Sequence, residues 1–443
     1  MSSELQNSKS WSDPSSGEFK RQKSSFREFI SKSHPIYKPE PKRYHLYISL
    51  ACPWASRVSC ARSLLGLTNV ISMSIVHWYM ETSSEPNAAN PSAIKGWRFL
   101  PVDDHSTFTA AGNGDKNNRY GVVSDLTQYL GGDISNCTHS FANCDNHGNR
   151  YDFDGTIDHI NGFEHLRDLY YFSNPNYDGR FTVPILYDIK TNTIVNNESS
   201  EILRMLSDPE GLLQFSDKEK QYLTTLYPEK DRKNIDYWND KIYETINNGV
   251  YKTGFAEQLQ AYEKNLYILF ETLDEVEEHF KQKYSKDDLL DNNKTLYFVG
   301  DQITEADIRL FVTVVRFDAV YHQHFKCNLK MIRSDYPYIN NWLIKLYNHP
   351  ETDAFKDTTN FAHIKLHYTR SHKRINPLGI SNHYIFYYLK VFEKEEKKNT
   401  LSKSHTFVKR IFHYKLLLIL YTFLGFYNGA SKKKLYIYMI KSI

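Results

Sequence analysis

An α/β domain followed by an all-helical domain is the fold class this sequence predicts, and three observations carry it. Short β-rich runs alternate with helical stretches only before about residue 210, strand signals vanish from about Asp231 onward, and a helical period takes over from there. The 443 residues are 40% apolar and 24% charged, so the chain can bury a real core. At roughly 150 residues per domain, that length gives two or three domains.

The elements follow in order. Tyr44 to Ile48 is a β-rich run that ends at Ser-Leu-Ala-Cys-Pro-Trp, and Ala55 to Leu65 then reads as a helix. Val70 to Val76 is a second β-rich run. From Asp103 to about Asp158 the sequence turns to Gly, Asn, Asp and His with little period, which reads as an inserted loop over about 104–158. Phe163 to Tyr171 is a helix, Phe181 to Tyr187 a strand interrupted by Pro184, and Thr193 to Val195 a short strand. Asn197 offers a side-chain cap to a helix running through Glu201, Ile202 and Met205. The order β, α, β, then α, β, β, α describes a small α/β domain whose two halves share one sheet.

In the second half Ile235, Trp238, Ile242 and Ile246 keep one helical face, as do Leu266, Leu269, Phe270, Leu273 and Val276. Thr304-Glu-Ala-Asp307 opens a further helix by reciprocal capping, and Ile308, Phe311, Val312 and Val315 are its buried stripe. The expected organisation is an N-terminal extension over 1–40, the α/β domain over 41–210, the helical domain over 211–380 and a tail over 381–443.

The charge is balanced, with 55 basic and 52 acidic side chains, so nothing advertises a nucleic-acid partner. The tail differs: residues 381–443 carry 12 Lys and Arg against 3 acidic groups, a local +9 that leaves −6 on the rest of a chain totalling +3. Its apolar run Leu416 to Tyr427 has 12 residues, short of the roughly 20 that span a bilayer. Flanked by Lys415 and Lys432 to Lys434, it suits either an accessory tail or contact with an anionic membrane surface. Five scattered cysteines favour free thiols in a reducing, cytoplasmic setting. The first 33 residues hold 11 Ser and four acidic groups without an apolar h-region, which argues against a secretory signal.

The chemistry centres on Cys52. A thiol at the first turn of a helix faces unpaired amides and the positive end of the dipole, a placement that lowers its pKa from about 8.5 to roughly 3.5–7.5. Cys52 is therefore expected to be largely thiolate. Its motif is Cys-Pro-Trp-Ala, with no second cysteine one turn on. Cys60, eight residues along the same helix, is about 12 Å away by the helical rise, beyond the roughly 7 Å that a disulfide allows. A lone thiolate captures a sulfur but cannot resolve the mixed disulfide, so the second thiol comes from solution, and glutathione is the abundant candidate. His322-x-His324-x-x-Cys327 and His363-x-x-x-His367 have tolerable ligand spacing without the partner motifs of a metal site, so no metal is expected. No phosphate-cradling Gly motif marks a nucleotide cofactor.

The stretch Tyr44-His-Leu-Tyr-Ile-Ser-Leu-Ala-Cys-Pro-Trp-Ala-Ser-Arg57 resembles the signature of glutathionyl-hydroquinone reductases, the Xi class of glutathione transferases. The resemblance continues, in family order, through Gly17-Glu-Phe-Lys-Arg21, Gly96-Trp97, Leu166-Arg-Asp-Leu-Tyr170, Gly179-Arg-Phe-Thr-Val-Pro184, Asn196-Asn-Glu-Ser-Ser-Glu201, Ile246-Asn-Asn-Gly-Val-Tyr-Lys252, Asp301 to Leu310, Tyr321 to Asn328, His363-Ile-Lys-Leu-His-Tyr and Ile375-Asn-Pro377.

It implies a thioredoxin-like N-terminal domain, an all-helical glutathione-transferase C-terminal domain, a homodimer, and glutathione as co-substrate. It further implies that Cys52 attacks the sulfur of a glutathionyl-hydroquinone and that a second glutathione releases oxidised glutathione. For glutathione the resemblance points to Val183 and a cis Pro184, to Glu198 and Ser199, and to Trp97 and Arg167. For the quinol it points to Tyr227 and Tyr321, ahead of Tyr251. The family usually has His where this chain has Ser56, so any help an imidazole gives the thiolate is missing or replaced. A non-catalytic glutathione-binding scaffold or membrane-surface interaction protein is the competing reading; a conjugating transferase is disfavoured because it needs a Ser or Tyr hydroxyl in place of Cys52.

Overall fold

The computed structural model describes residues 12–13, 15–81, 96–100 and 155–380. The expected loop over 104–158, apart from its last four residues, and the tail over 381–443 lie outside them. All described residues belong to one compact unit, Met1–Phe386.

Strand β1 (Tyr44–Ile48) is buried at every position and forms the middle of a four-stranded sheet ordered β2-β1-β5-β6. Its unbroken burial follows from cover on both faces, and its one polar member, His45, is satisfied by the Ser72 and Ser74 hydroxyls. β2 (Ser72–Ile75) runs parallel to it, with His45 opposite Ser72, and the intervening helix α1 (Pro53–Leu64) makes the crossover such a pair requires. β5 (Ile185–Asp188) is antiparallel to β1, with Leu46 opposite Leu186, and hairpins into β6 (Thr193–Asn196). Arg43 and Asp188 lock the β1–β5 register through two buried hydrogen bonds of 2.8 and 2.7 Å. Two short strands, β3 (Met80–Glu81) and β4 (Gly96–Trp97), pair antiparallel beside this sheet. Helices α2 (Leu166–Ser173) and α3 (Ser199–Leu206) complete the thioredoxin-like part.

Three expectations shift. Helix α1 begins at Pro53 because Pro has no amide to lose at the first helical position. The run before β5 is not strand as far as Pro184: Thr182 gives its carbonyl to the Tyr170 hydroxyl at 2.8 Å, and pairing starts after the proline. Asn197 does not cap α3. Its amide group donates to the Tyr170 hydroxyl at 3.1 Å and accepts from the Phe26 amide at 3.2 Å, while Glu198 is the cap and accepts from the Ser200 amide at 3.3 Å.

The helical part comprises α4 (Arg232–Ile242), α5 (Gly249–Gly254), α6 (Leu259–Lys283), α7 (Glu305–Arg316), α8 (Pro337–Tyr347) and α9 (Phe361–Ser371), with shorter turns between. Every apolar residue expected on the α4, α6 and α7 faces is buried. At the start of α7, Asp307 reaches back to the Thr304 amide at 3.0 Å and also takes the Phe298 amide and the Trp342 indole, so one buried carboxylate joins three segments. Single π-helical turns, Tyr243–Asn247 and Phe317–Tyr321, interrupt the chain after α4 and α7.

The described part of the N-terminal extension does not project from the body. The Glu28 amide bonds the Val195 carbonyl at 3.1 Å alongside β6, and Gly17 turns with φ +64° where a Cβ would come within 2.6 Å of Gln258.

Candidate active site

Cys52 is the residue before α1, extended at φ −81° and ψ 121°, so the chain turns from β1 into the helix directly beneath its sulfur. Sγ faces the amides of Trp54 and Ala55 and lies 3.8 Å from the Val183 carbonyl. The Val183–Pro184 bond is cis. Cys52 opens into a cavity of about 830 Å³ between the thioredoxin-like part and the helical part.

Burial nonetheless pushes the Cys52 thiol above its ordinary value, against the pull of the two amides and of the Arg316 and Arg21 guanidiniums. The expectation of a resting thiolate is thereby corrected: the helix terminus acts as foreseen, but desolvation outweighs it. Ser56, in the place of the usual His, faces away from the sulfur. Its hydroxyl donates to the Cys52 carbonyl at 3.1 Å and accepts from Arg316 at 2.8 Å. Arg316 is fully buried and also donates to the carbonyls of Leu50 and Ala51, at 3.1 and 3.0 Å. A cation from α7 thus braces the strand-to-helix turn that carries the thiol.

Of the residues singled out from sequence, Cys52, Trp97, Val183, Pro184, Glu198 and Ser199 all line the cavity. Ser199 presents a buried hydroxyl with no partner at the start of α3, and Glu198 takes the Ser24 hydroxyl at 3.1 Å. Trp97 is buried and stacks on His367 with ring centroids 4.8 Å apart.

Arg167, Tyr227 and Tyr321 are not among the lining residues. Arg167 lies on α2 with Asp168 at 3.6 Å. Tyr227 is clamped under the Arg204 guanidinium, 3.5 Å from its ring centroid, and its hydroxyl donates to Asp236 at 2.5 Å. It is therefore spent on joining the two halves of the body. Tyr321 is fully buried one layer behind the wall, with its hydroxyl 3.1 Å from that of Tyr368.

The ranking of tyrosines reverses. Tyr251 lines the cavity, its hydroxyl 2.7 Å from that of Tyr368. Burial, and next the Cys52 charge, push its phenol up to about 12. Tyr251 lies on α5, just after the π turn Tyr243–Asn247, and the resemblance that ranked the three tyrosines carries no information on which of them reaches the cavity.

Among the wall residues not assigned to the site from sequence are Arg21, Tyr368 and His372, and His367, which was read only as one of a spaced histidine pair. Arg21 lies 4.1 Å over the Trp54 ring and bonds Asn248 at 2.7 Å. The blocks at Gly17 to Arg21 and at His363 to Tyr368 quoted in the resemblance already contain Arg21, His367 and Tyr368, whereas His372 lies outside them and carried no signal. Of the histidines in the two spaced motifs, His324 and His367 both pack on His372, with ring centroids 5.2 and 5.1 Å from it and His324 Nε2 3.0 Å from His372 Nδ1, while Cys327 Sγ faces the Val250 and Phe325 carbonyls.

A soft nucleophile beside the backbone of the cis Val183–Pro184 segment and near a helix N-terminus suits a thiol peptide with a carboxylate at one end. The comparisons agree. Residues 51–208 match the family model for the glutathione S-transferase N-terminal domain, and residues 260–344 that for its C-terminal domain. The chain is 47% identical over 382 residues to glutathione S-transferase omega-like 2 of Saccharomyces cerevisiae, covering 84% of this chain and 97% of that one. It is 38% identical over 375 residues to the glutathionyl-hydroquinone reductase PcpF of Sphingobium chlorophenolicum, covering 84% and 91%. Among solved structures, the Xi glutathione transferase ECM4 of Saccharomyces cerevisiae in complex with glutathione superposes with a TM-score of 0.68 at 46% identity, over 82% of this chain and 96% of that one. Fold, cavity and relatives together make this chain a member of the glutathione S-transferase family, within the Xi-class and omega-like group that includes the glutathionyl-hydroquinone reductases.

Proposed function

We propose that the protein removes glutathione from glutathionyl-hydroquinones through a mixed disulfide on Cys52. The observation that carries this reading is that Cys52 is the one cysteine among the described residues at the cavity: Cys60 and Cys327 are both buried and neither lines it. Cys52 attacks the substrate sulfur, an S–S bond forms, the carbon–sulfur bond breaks, and the ring carbon takes a proton to give the hydroquinone. A second glutathione, as thiolate, then attacks the glutathione sulfur of the adduct, and oxidised glutathione leaves with Cys52 restored. Glutathione would lie with its backbone along Val183 and its γ-glutamyl end at Glu198 and Ser199, with Tyr251 facing the quinol.

The relatives named as reductases support this reaction class, and a homodimer in the cytosol is part of the same reading. No described helix is long and apolar enough to cross a membrane. The test is mass spectrometry after exposure to a glutathionylated quinol. One glutathione on Cys52, removed by excess thiol, supports the reductase; unmodified protein that still binds glutathione supports the scaffold.

A further inference from the structure

His367 forms part of the cavity wall and has no role in the reaction as written. Its ring is fixed on two sides, by Trp97 stacked on its face and by the Trp78 carbonyl 3.0 Å from Nδ1. A carbonyl only accepts, so Nδ1 carries the proton, and in a neutral imidazole that leaves Nε2 as a lone-pair acceptor. No protein donor meets Nε2 among the described residues. Burial, with His372 beside it, keeps the ring well below the usual imidazole range, hence neutral. The Tyr251 hydroxyl, backed by Tyr368 and Tyr321, lines the same cavity and offers a proton.

We propose that His367 Nε2 is the base that accepts the quinol hydroxyl beside the carbon–sulfur bond, an inference that rests on glutathionyl-hydroquinones being substrates. The hydroxyl gives its proton to Nε2 as its oxygen becomes a carbonyl, and the carbon bearing sulfur takes a proton from Tyr251. The Cys52 thiol reprotonates Tyr251 and attacks the sulfur as thiolate. The S–S bond forms, the carbon–sulfur bond breaks, and its electron pair returns through the ring to the oxygen, which recovers the proton from His367. The carbon is reduced, the cysteine sulfur is oxidised, and both proton carriers end as they began.

The test uses the full chain with His367→Asn, which keeps an amide N–H for the Trp78 carbonyl and removes the Nε2 acceptor. The substrates are a glutathionyl-hydroquinone, its methyl ether at the hydroxyl beside sulfur, and the glutathione mixed disulfide of 2-mercaptoethanol. The quinol rate is expected to fall about 100-fold, with a loss about tenfold smaller or less on the mixed disulfide, which needs no proton relay. The preference of the native protein for quinol over ether should collapse in the variant. His367→Gln, with a carbonyl oxygen near the Nε2 position, should recover about tenfold over Asn. Equal losses on quinol and disulfide, an unchanged quinol-to-ether ratio, or a Gln variant no better than Asn would each overturn the role of His367. A native protein that exchanges the disulfide but never turns over the quinol would overturn the proposed function instead.

Discussion

Replacing Arg316 by Met removes the cation that ties α7 to the Cys52 turn, and the structure sets the size of the effect. Leu50 and Ala51 give their carbonyls to no other donor among the described residues, so the substitution leaves two buried acceptors unpaired. At about 1–3 kcal/mol each, the cost is about 2–6 kcal/mol. The Ser56 hydroxyl keeps its bond to the Cys52 carbonyl and adds little. At about 2 °C per kcal/mol for a large body, the thermal midpoint falls by roughly 4–12 °C. The charge acts separately: the Arg316 guanidinium holds the Cys52 thiol down against burial, so its loss moves the thiol titration to higher pH. The assay is Cys52 alkylation by iodoacetamide against pH, beside the melting curve. Arg316→Lys keeps the charge without the fork, so it should hold the thiol titration near the native position while still lowering the midpoint. An Arg316→Met protein whose alkylation profile matches the native one would refute the electrostatic argument, and an unchanged midpoint would refute the structural one.

Other outcomes are equally specific. Cys52→Ser abolishes turnover and the glutathione adduct, whereas Cys60→Ser retains both, because Cys60 is buried away from the cavity. His324 and His372 are held at about 3 by burial, against an ordinary 6.5. The unfolded chain therefore binds more protons between these values, and stability measured by urea titration should be flat above about pH 6.5 and fall as pH drops toward 3. His324→Gln should flatten that fall; an unaltered slope would show that other groups cause it. Asp307→Ala strands the Phe298 and Thr304 amides and the Trp342 indole, so at about 1–3 kcal/mol per group the variant should be recovered largely unfolded. Deleting residues 381–443 should leave glutathione-dependent turnover unchanged, since the described lining residues, Cys52 and the residues assigned to glutathione among them, all precede that segment; lost catalysis in a folded truncation would place part of the site in the tail.

What the sequence determined by itself was whatever depends on local pattern. β1 runs from Tyr44 to Ile48 as the apolar run implied, the buried stripes of α4, α6 and α7 follow from their period, and Cys52 meets the helix start because Pro53 makes a good first residue and a poor second strand. Even the α7 cap was legible, because Thr304 and Asp307 are three residues apart and satisfy each other without help from the rest of the fold. Tertiary structure decided which distant side chains share a cavity and what burial does to their charge. Tyr251 lines the cavity that Cys52 opens into and Tyr227 does not, because the helical part packs Tyr251 against Tyr368 at the wall while Arg204 and Asp236 hold Tyr227 elsewhere. The state of the thiol was decided in the same way: amides one turn away are visible in the chain, whereas desolvation comes from residues hundreds of positions apart closing over the sulfur, and that cost exists only once they have packed.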